Sequence, residues 1–129
     1  MARPYDIRER ARLFAREVYE FGERLRVRGR PQSYMADQAV RAAGSVGANL
    51  EEGKAGQTKP DFITKNCIAL KEARETRYWL QLTQEVEPPL TPGAAPLISE
   101  ASELIAILTA IIKKARSTPD RGSGERKER

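Results

Sequence analysis

Ile7, Ala11, Phe14, Val18, Phe21 and Leu25 recur at intervals of 4, 3, 4, 3 and 4 residues. That period lines all six up on one stripe of an α-helix, whereas a strand would scatter them over both faces. Asp6 is placed to cap the first turn and Pro4 lies outside it, so the spacing predicts a helix over residues 7–26, ~30 Å long at the α-helical rise. The same spacing returns near the other end in Leu97, Ala101, Leu104, Leu108 and Ile111, with Ile98, Ile105 and Ile112 superposed on it at intervals of seven. An apolar face this wide exceeds one seam and predicts a helix covered on two sides.

Two further segments lie between them. Ser33 is the expected cap of a second helix whose inward positions are Met35, Ala39, Ala42 or Ala43, Val46 and Leu50. Gly44, Ser45, Gly47 and Ala48 make the middle of this segment small, and each glycine costs ~1 kcal/mol of helix propensity relative to alanine. Close approach of a neighbouring backbone is the expected reason for them. Gly29 with Pro31 predicts the turn before this helix, and Gly53 and Gly56 are its expected C-terminal caps. Thr58 and Pro60 open a third helix, with Asp61 at its positive end and Phe62, Ile63, Cys67, Leu70, Ala73, Trp79 or Leu80, and Val86 as its apolar face. Pro88, Pro89 and Pro92 stop any helix from crossing residues 88–92, while Pro96 is tolerable in a first turn.

Four amphipathic segments joined by short turns define the expected fold class: all-α, an antiparallel up-and-down four-helix bundle over residues 1–116. Residues 117–129, STPDRGSGERKER, hold no apolar side chain able to anchor them and are expected to form a disordered charged tail. The N-terminus has no apolar stretch of the signal-peptide kind and no run of ~18 apolar residues is evident, so a cytoplasmic protein without a membrane partner is expected.

The chain has no histidine and one cysteine. Those absences remove Ser-His-Asp and Cys-His catalysis, the usual zinc sites and the Glu-x-x-His ligands of di-iron bundles, so neither an enzyme, a metal nor a cofactor is expected. Glu72 and Glu75, with Glu51, Glu52 or Glu103, are the only candidates for an acid or metal cluster, and ion pairing, for example of Glu75 with Lys71 or Arg41, is the expected account of them. A carboxylate-dependent nuclease is the catalytic rival. Cys67, on the apolar stripe, is expected to be a buried packing residue, and Asn49 to hydrogen-bond across the bundle or to the following turn. GKAGQTK at residues 53–59 lacks the preceding strand and the Lys-Ser/Thr pair of a phosphate loop, and reads as a turn.

Charge is uneven. The chain carries 23 basic and 18 acidic side chains, a net +5, of which residues 1–30 alone hold +4. Arg8, Arg12 and Arg16 follow one another at i, i+4 and i+8 away from the apolar seam, and Arg24, Arg26, Arg28 and Arg30 extend the charge past the helix end. These seven are the candidate nucleic-acid contacts. With only Tyr5, Tyr19 and Tyr34 interleaved, phosphate or shape recognition of structured RNA is expected in preference to base stacking. A solvated face partnered by Glu9, Glu20 and Glu23 is the alternative.

The stretch RAAGSVGANLEEG from Arg41 to Gly53, followed by DFITKNCIALKEARETRYWLQL, resembles the bacterial four-helix bundle proteins encoded in intervening sequences of large-subunit ribosomal RNA genes. The matching positions are Arg41, Ser45, Asn49, Glu52, Gly53, Phe62, Glu72, Glu75, Tyr78, Trp79 and Leu80, and the likeness runs over residues 7–116. Val46-Gly47 departs from the Ile-Pro of many relatives, and Glu51 from an Ala. The resemblance implies a homo-oligomer, often a pentameric barrel, in a family related to accessory proteins of diversity-generating retroelements, which bind nucleic acid and a reverse transcriptase. Leu13, with Ile98, Ile105 and Ile112, is the expected oligomer interface. The expected function is therefore a non-catalytic homo-oligomer that binds structured RNA, the alternative being a scaffold for a protein partner such as a reverse transcriptase.

Overall fold

A computed structural model of the protein describes residues 5–56 and 58–119; the expected tail lies outside the described residues from position 120 onward. It consists of α1 (Ile7–Arg26), α2 (Arg30–Ala55), α3 (Lys59–Val86) and α4 (Thr91–Ser117), with a 3-10 turn at Pro88–Leu90. The fold is all-α, and the helices run up and down, α1 packing on α2, α2 on α3 and α3 on α4 along their lengths. The α1/α4 seam that closes the ring is thinner.

The six-residue stripe of α1 is buried throughout except at Ile7, which is half-buried, and Asp6 accepts the Arg8 N–H at 2.9 Å as the cap. Phe14, Val18 and Leu25 pack with Met35, Ala39, Leu80, Leu97 and Leu104 in the larger core cluster. A smaller cluster, Ala11, Val46, Leu50, Ala69, Ala73 and Leu108, fills the end where α2 turns into α3. Half of its members are alanines.

Helix boundaries differ from the proline-based reading in a consistent way. Gly29 has φ 152°, which lets the chain reverse at once, so α2 starts at Arg30 with Pro31 in its first turn, where no N–H is needed. Ser33 is accordingly inside the helix, its N–H bonded to the Gly29 carbonyl at 2.9 Å. Gly53 does not cap α2 but lies buried within it, and Gly56 is the cap. At the other end α4 takes in Pro92 and continues through Pro96, its sixth residue. A Cβ on Gly47 would make only ordinary contact with Ala11, 3.7 Å from its Cβ, and one on Gly44 would meet nothing within 4 Å, so close approach explains neither glycine.

The largest correction concerns α3. Its buried positions are Asn66, Ala69, Ala73, Thr76, Leu80 and Thr83, again at 3, 4, 3, 4, 3 spacing, while Ile63, Cys67 and Leu70 are only half-buried and Val86 is exposed. Half of that seam is polar. Asn66 donates to the Phe62 carbonyl at 2.8 Å, Thr76 to Glu72 at 2.8 Å and Thr83 to Trp79 at 2.9 Å, so each side chain is satisfied within its own helix and presents its methyl or methylene surface to the core. Counting apolar residues alone therefore rotates the helix toward its flank.

Ile98 and Ile105 are half-buried against the two core clusters, and Ile112 is buried. This removes Ile112 from the expected oligomer interface, because its surface is already covered inside the protomer. Leu13 is half-buried. Pro88–Ser117 has the length and apolarity of a membrane-crossing segment, a property shared by core helices of bundles, and a third of its most apolar stretch is buried here.

Candidate functional site

The seven arginines expected to bind nucleic acid divide into two groups. Arg8 pairs with Asp6 at 3.1 Å and Glu51 at 3.3 Å, Arg16 with Glu20 at 3.5 Å, Arg26 with Glu23 at 3.2 Å and with Asp37, and Arg28 with Glu87. Arg12, Arg24 and Arg30 are exposed and make no salt bridge among the described residues. Arg24 lies over the Phe21 ring, 5.6 Å from its centre. Glu20 and Glu23 are thus partners of the arginine face, as the alternative reading held, but Asp37, Glu51 and Glu87 come from α2 and the α3 exit, where no helix-1 periodicity points.

Arg10, absent from the sequence candidates, makes the most buried ion pair. Its Nε and Nη2 donate to both carboxylate oxygens of Glu100 at 2.7 and 2.9 Å, and Nη2 also reaches Glu103 at 2.8 Å. It fastens the thin α1/α4 seam. Glu100 sits among alanines and leucines of α4, a position whose burial the helix-4 pattern could have disclosed because it adjoins Leu97, Ala101 and Leu104 on one face.

The motif residues shared with the resembled family converge on the α2/α3 junction. Arg41 bonds Glu72 at 3.4 Å and pairs with Glu75, Lys65 bonds Glu52 at 2.6 Å, and a Cβ on Gly53 would stand 3.0 Å from the Lys65 Cβ and 3.3 Å from the Asn66 amide nitrogen. Ser45 and Asn49 bond one another inside α2, the Asn49 amide donating to the Ser45 carbonyl at 2.8 Å and hydroxyl at 3.1 Å. Asn49 therefore reaches neither across the bundle nor to the turn. The carboxylates that would have to build an acid cluster instead go separate ways, Glu51 to Arg8, Glu52 to Lys65, Glu103 to Arg10, and Glu72 and Glu75 to Arg41. Among the described residues no three His, Cys, Asp or Glu side chains come together as metal ligands.

Next to Arg41, Trp79 donates its indole N–H to Glu75 at 3.1 Å and meets the rings of Tyr34 and Tyr78 edge-on at 5.9 and 5.1 Å. The indole bond and then the Arg41 guanidinium hold the Glu75 carboxyl below its ordinary value of 4.5. A depressed folded-state value means that this arrangement is complete above the ordinary value and is lost as pH falls through the folded one. Fluorescence of Trp79, the sole tryptophan, is expected to change in acid with a midpoint below 4.5, and the step is expected to vanish in Glu75→Gln. A midpoint at or above that value would show that Glu75 is not held in this way.

A four-helix bundle stitched by ion pairs along its junctions, with uncompensated cations outside, is the class of protein these features define. The chain belongs to the 23S rRNA-intervening sequence protein family, whose model matches residues 3–110. It is similar to a crystal structure of a protein of unknown function from the S23 ribosomal protein family of Bacteroides thetaiotaomicron, at 32% identity over 83% of this chain and 98% of that one, with a TM-score of 0.73. Among curated proteins none matches the chain.

Proposed function

We propose that the protein is a non-catalytic, self-associating bundle that binds structured RNA as an accessory factor. The observation that carries the RNA reading is the exposed set Arg12, Arg24 and Arg30, which no described carboxylate neutralises, on a chain of net +5. The neighbouring Arg16–Glu20 pair is largely solvent-exposed, and such a pair is worth only ~0–1 kcal/mol, so phosphate can replace its carboxylate at little cost. Self-association has separate support in α4. Of its exposed positions from Pro92 to Ala110, only Glu103 is charged, the others including Ala95, Ser99, Ala106, Thr109 and Ala110. A helix face directed at water ordinarily carries several charges, and contact with further copies accounts for their scarcity here. Leu13 lies on the adjacent flank of α1, between Arg10 and Glu17, and Ile98 and Ile105 keep partial exposure. A pentameric ring, the number implied by the resemblance, would multiply the charge of each protomer and draw in a polyanion before specific contacts form.

Binding of a labelled RNA hairpin, measured against salt concentration for the wild type and an Arg12→Gln/Arg24→Gln/Arg30→Gln variant, tests the reading. The variant is expected to bind more weakly, with the slope of log affinity against log salt reduced by about 2. Equal affinity and slope would remove the RNA assignment and leave a scaffold for a protein partner, such as a reverse transcriptase, as the better account. Light scattering at micromolar concentration checks the assembly separately; a 14.5 kDa species would exclude it.

A further inference from the structure

The outer groove between α3 and α4 combines two properties that helix 1 does not. Its floor is apolar, formed by the half-buried Cys67 and Leu70 over the buried Ile112, and its volume is about 500 Å³. Its rim is basic. Lys113 and Arg116 line it, and beyond its lining Arg74 and Arg77 continue the α3 stripe 67, 70, 74 and 77, the Arg77 guanidinium donating to Ser102 at 3.1 Å. None of these four cations makes a salt bridge among the described residues, and no carboxylate lines the groove. From Cys67 to Arg77 the α3 stripe alongside the groove runs ~15 Å at the helical rise, about three turns of a docked helix.

We propose that this groove docks an acidic amphipathic helix of a partner protein, with leucine-like side chains on the floor and carboxylates on Arg74, Arg77, Lys113 and Arg116. Charge complementarity selects an acidic partner, and the apolar floor selects among acidic partners, because a phosphate backbone gains nothing from Leu70. The groove contains no aromatic ring on which bases would stack. Residues 120–129 contain no apolar side chain, and the main apolar seams of the four helices are spent in their own core, so neither is left over to fill the groove. The assignment is separate from RNA binding on α1, and either can fail without the other.

Cys67, the sole cysteine, lies on the floor 3.5 Å from the Arg116 guanidinium and reports occupancy directly. The probe is a fluorescein-labelled synthetic peptide of roughly 18 residues with leucines at i, i+3, i+4 and i+7 and glutamates flanking them, beside a scrambled peptide of the same composition. The ordered peptide is expected to bind the full chain, to gain helicity, and to slow alkylation of Cys67 by iodoacetamide at least about fivefold, while Arg74→Glu/Arg116→Glu, two exposed substitutions whose folding is checked by circular dichroism, weakens its binding by about tenfold or more. Unchanged alkylation in the presence of saturating peptide overturns the proposal, as does equal binding of the scrambled peptide or equal binding to the charge-reversed variant. Shielding of Cys67 by the RNA hairpin and not by the peptide would assign the groove to nucleic acid instead.

Discussion

Glu100→Ala is expected to destabilise the protein by about 3 kcal/mol or more, since removing one partner of a buried ion pair leaves the other charge uncompensated. Glu100 is 3% exposed and Arg10 14%, and both carboxylate oxygens of Glu100 accept from the one guanidinium. Arg10 keeps Glu103, which holds the cost toward the lower end of the range for such losses. Because the pair spans the thin α1/α4 seam, hydrogen exchange should accelerate first along α1 and α4, ahead of the α2/α3 junction. Glu100→Gln preserves the volume and is expected to cost less than the alanine variant. Urea unfolding that shows a loss below ~1 kcal/mol for Glu100→Ala would mean that the pair is no better than a surface bridge.

Phe14→Ala is expected to cost about 3–5 kcal/mol through the cavity it leaves, because the side chain is fully buried in the larger core cluster and its neighbours are held by three other helices. The adjacent Leu13→Ala, at a half-buried position on the α4 flank, should cost about 1 kcal/mol or less in the protomer. If Leu13 lies between copies, the same variant lowers the oligomer's mass in light scattering while leaving helicity intact. A Phe14 variant within 1 kcal/mol of the wild type would contradict the placement of the α1 stripe.

Helix 1 was legible almost to the residue because its burial, its cap and its period all point the same way: Asp6 caps it, and five of the six stripe residues are buried. Helix 3 was misread at Ile63, Cys67 and Leu70 because its seam uses Asn66, Thr76 and Thr83, whose polar atoms bond to their own helix. Hydrophobicity cannot see a polar residue that has hidden its polarity. Cys67 left the core for the groove floor by the same rotation.

Arginine placement shows the complementary limit. The pairing of Arg41 with Glu75 was among the readings of the chain, and Arg16 with Glu20 and Arg26 with Glu23 follow from one-turn spacing, so local periodicity reaches them. The pairing of Arg10 with Glu100, ninety positions away, and of Arg28 with Glu87 depends on which helices become neighbours and in what register. Spacing along one chain segment carries no such information. The all-α class, the number of helices, the α1 stripe and the family follow from periodicity and motif, since each is a property of contiguous residues. Which arginines stay free of carboxylates, which flank of α3 faces outward and where a basic rim meets an apolar floor were decided only by packing, because each needs side chains from two helices brought to one place.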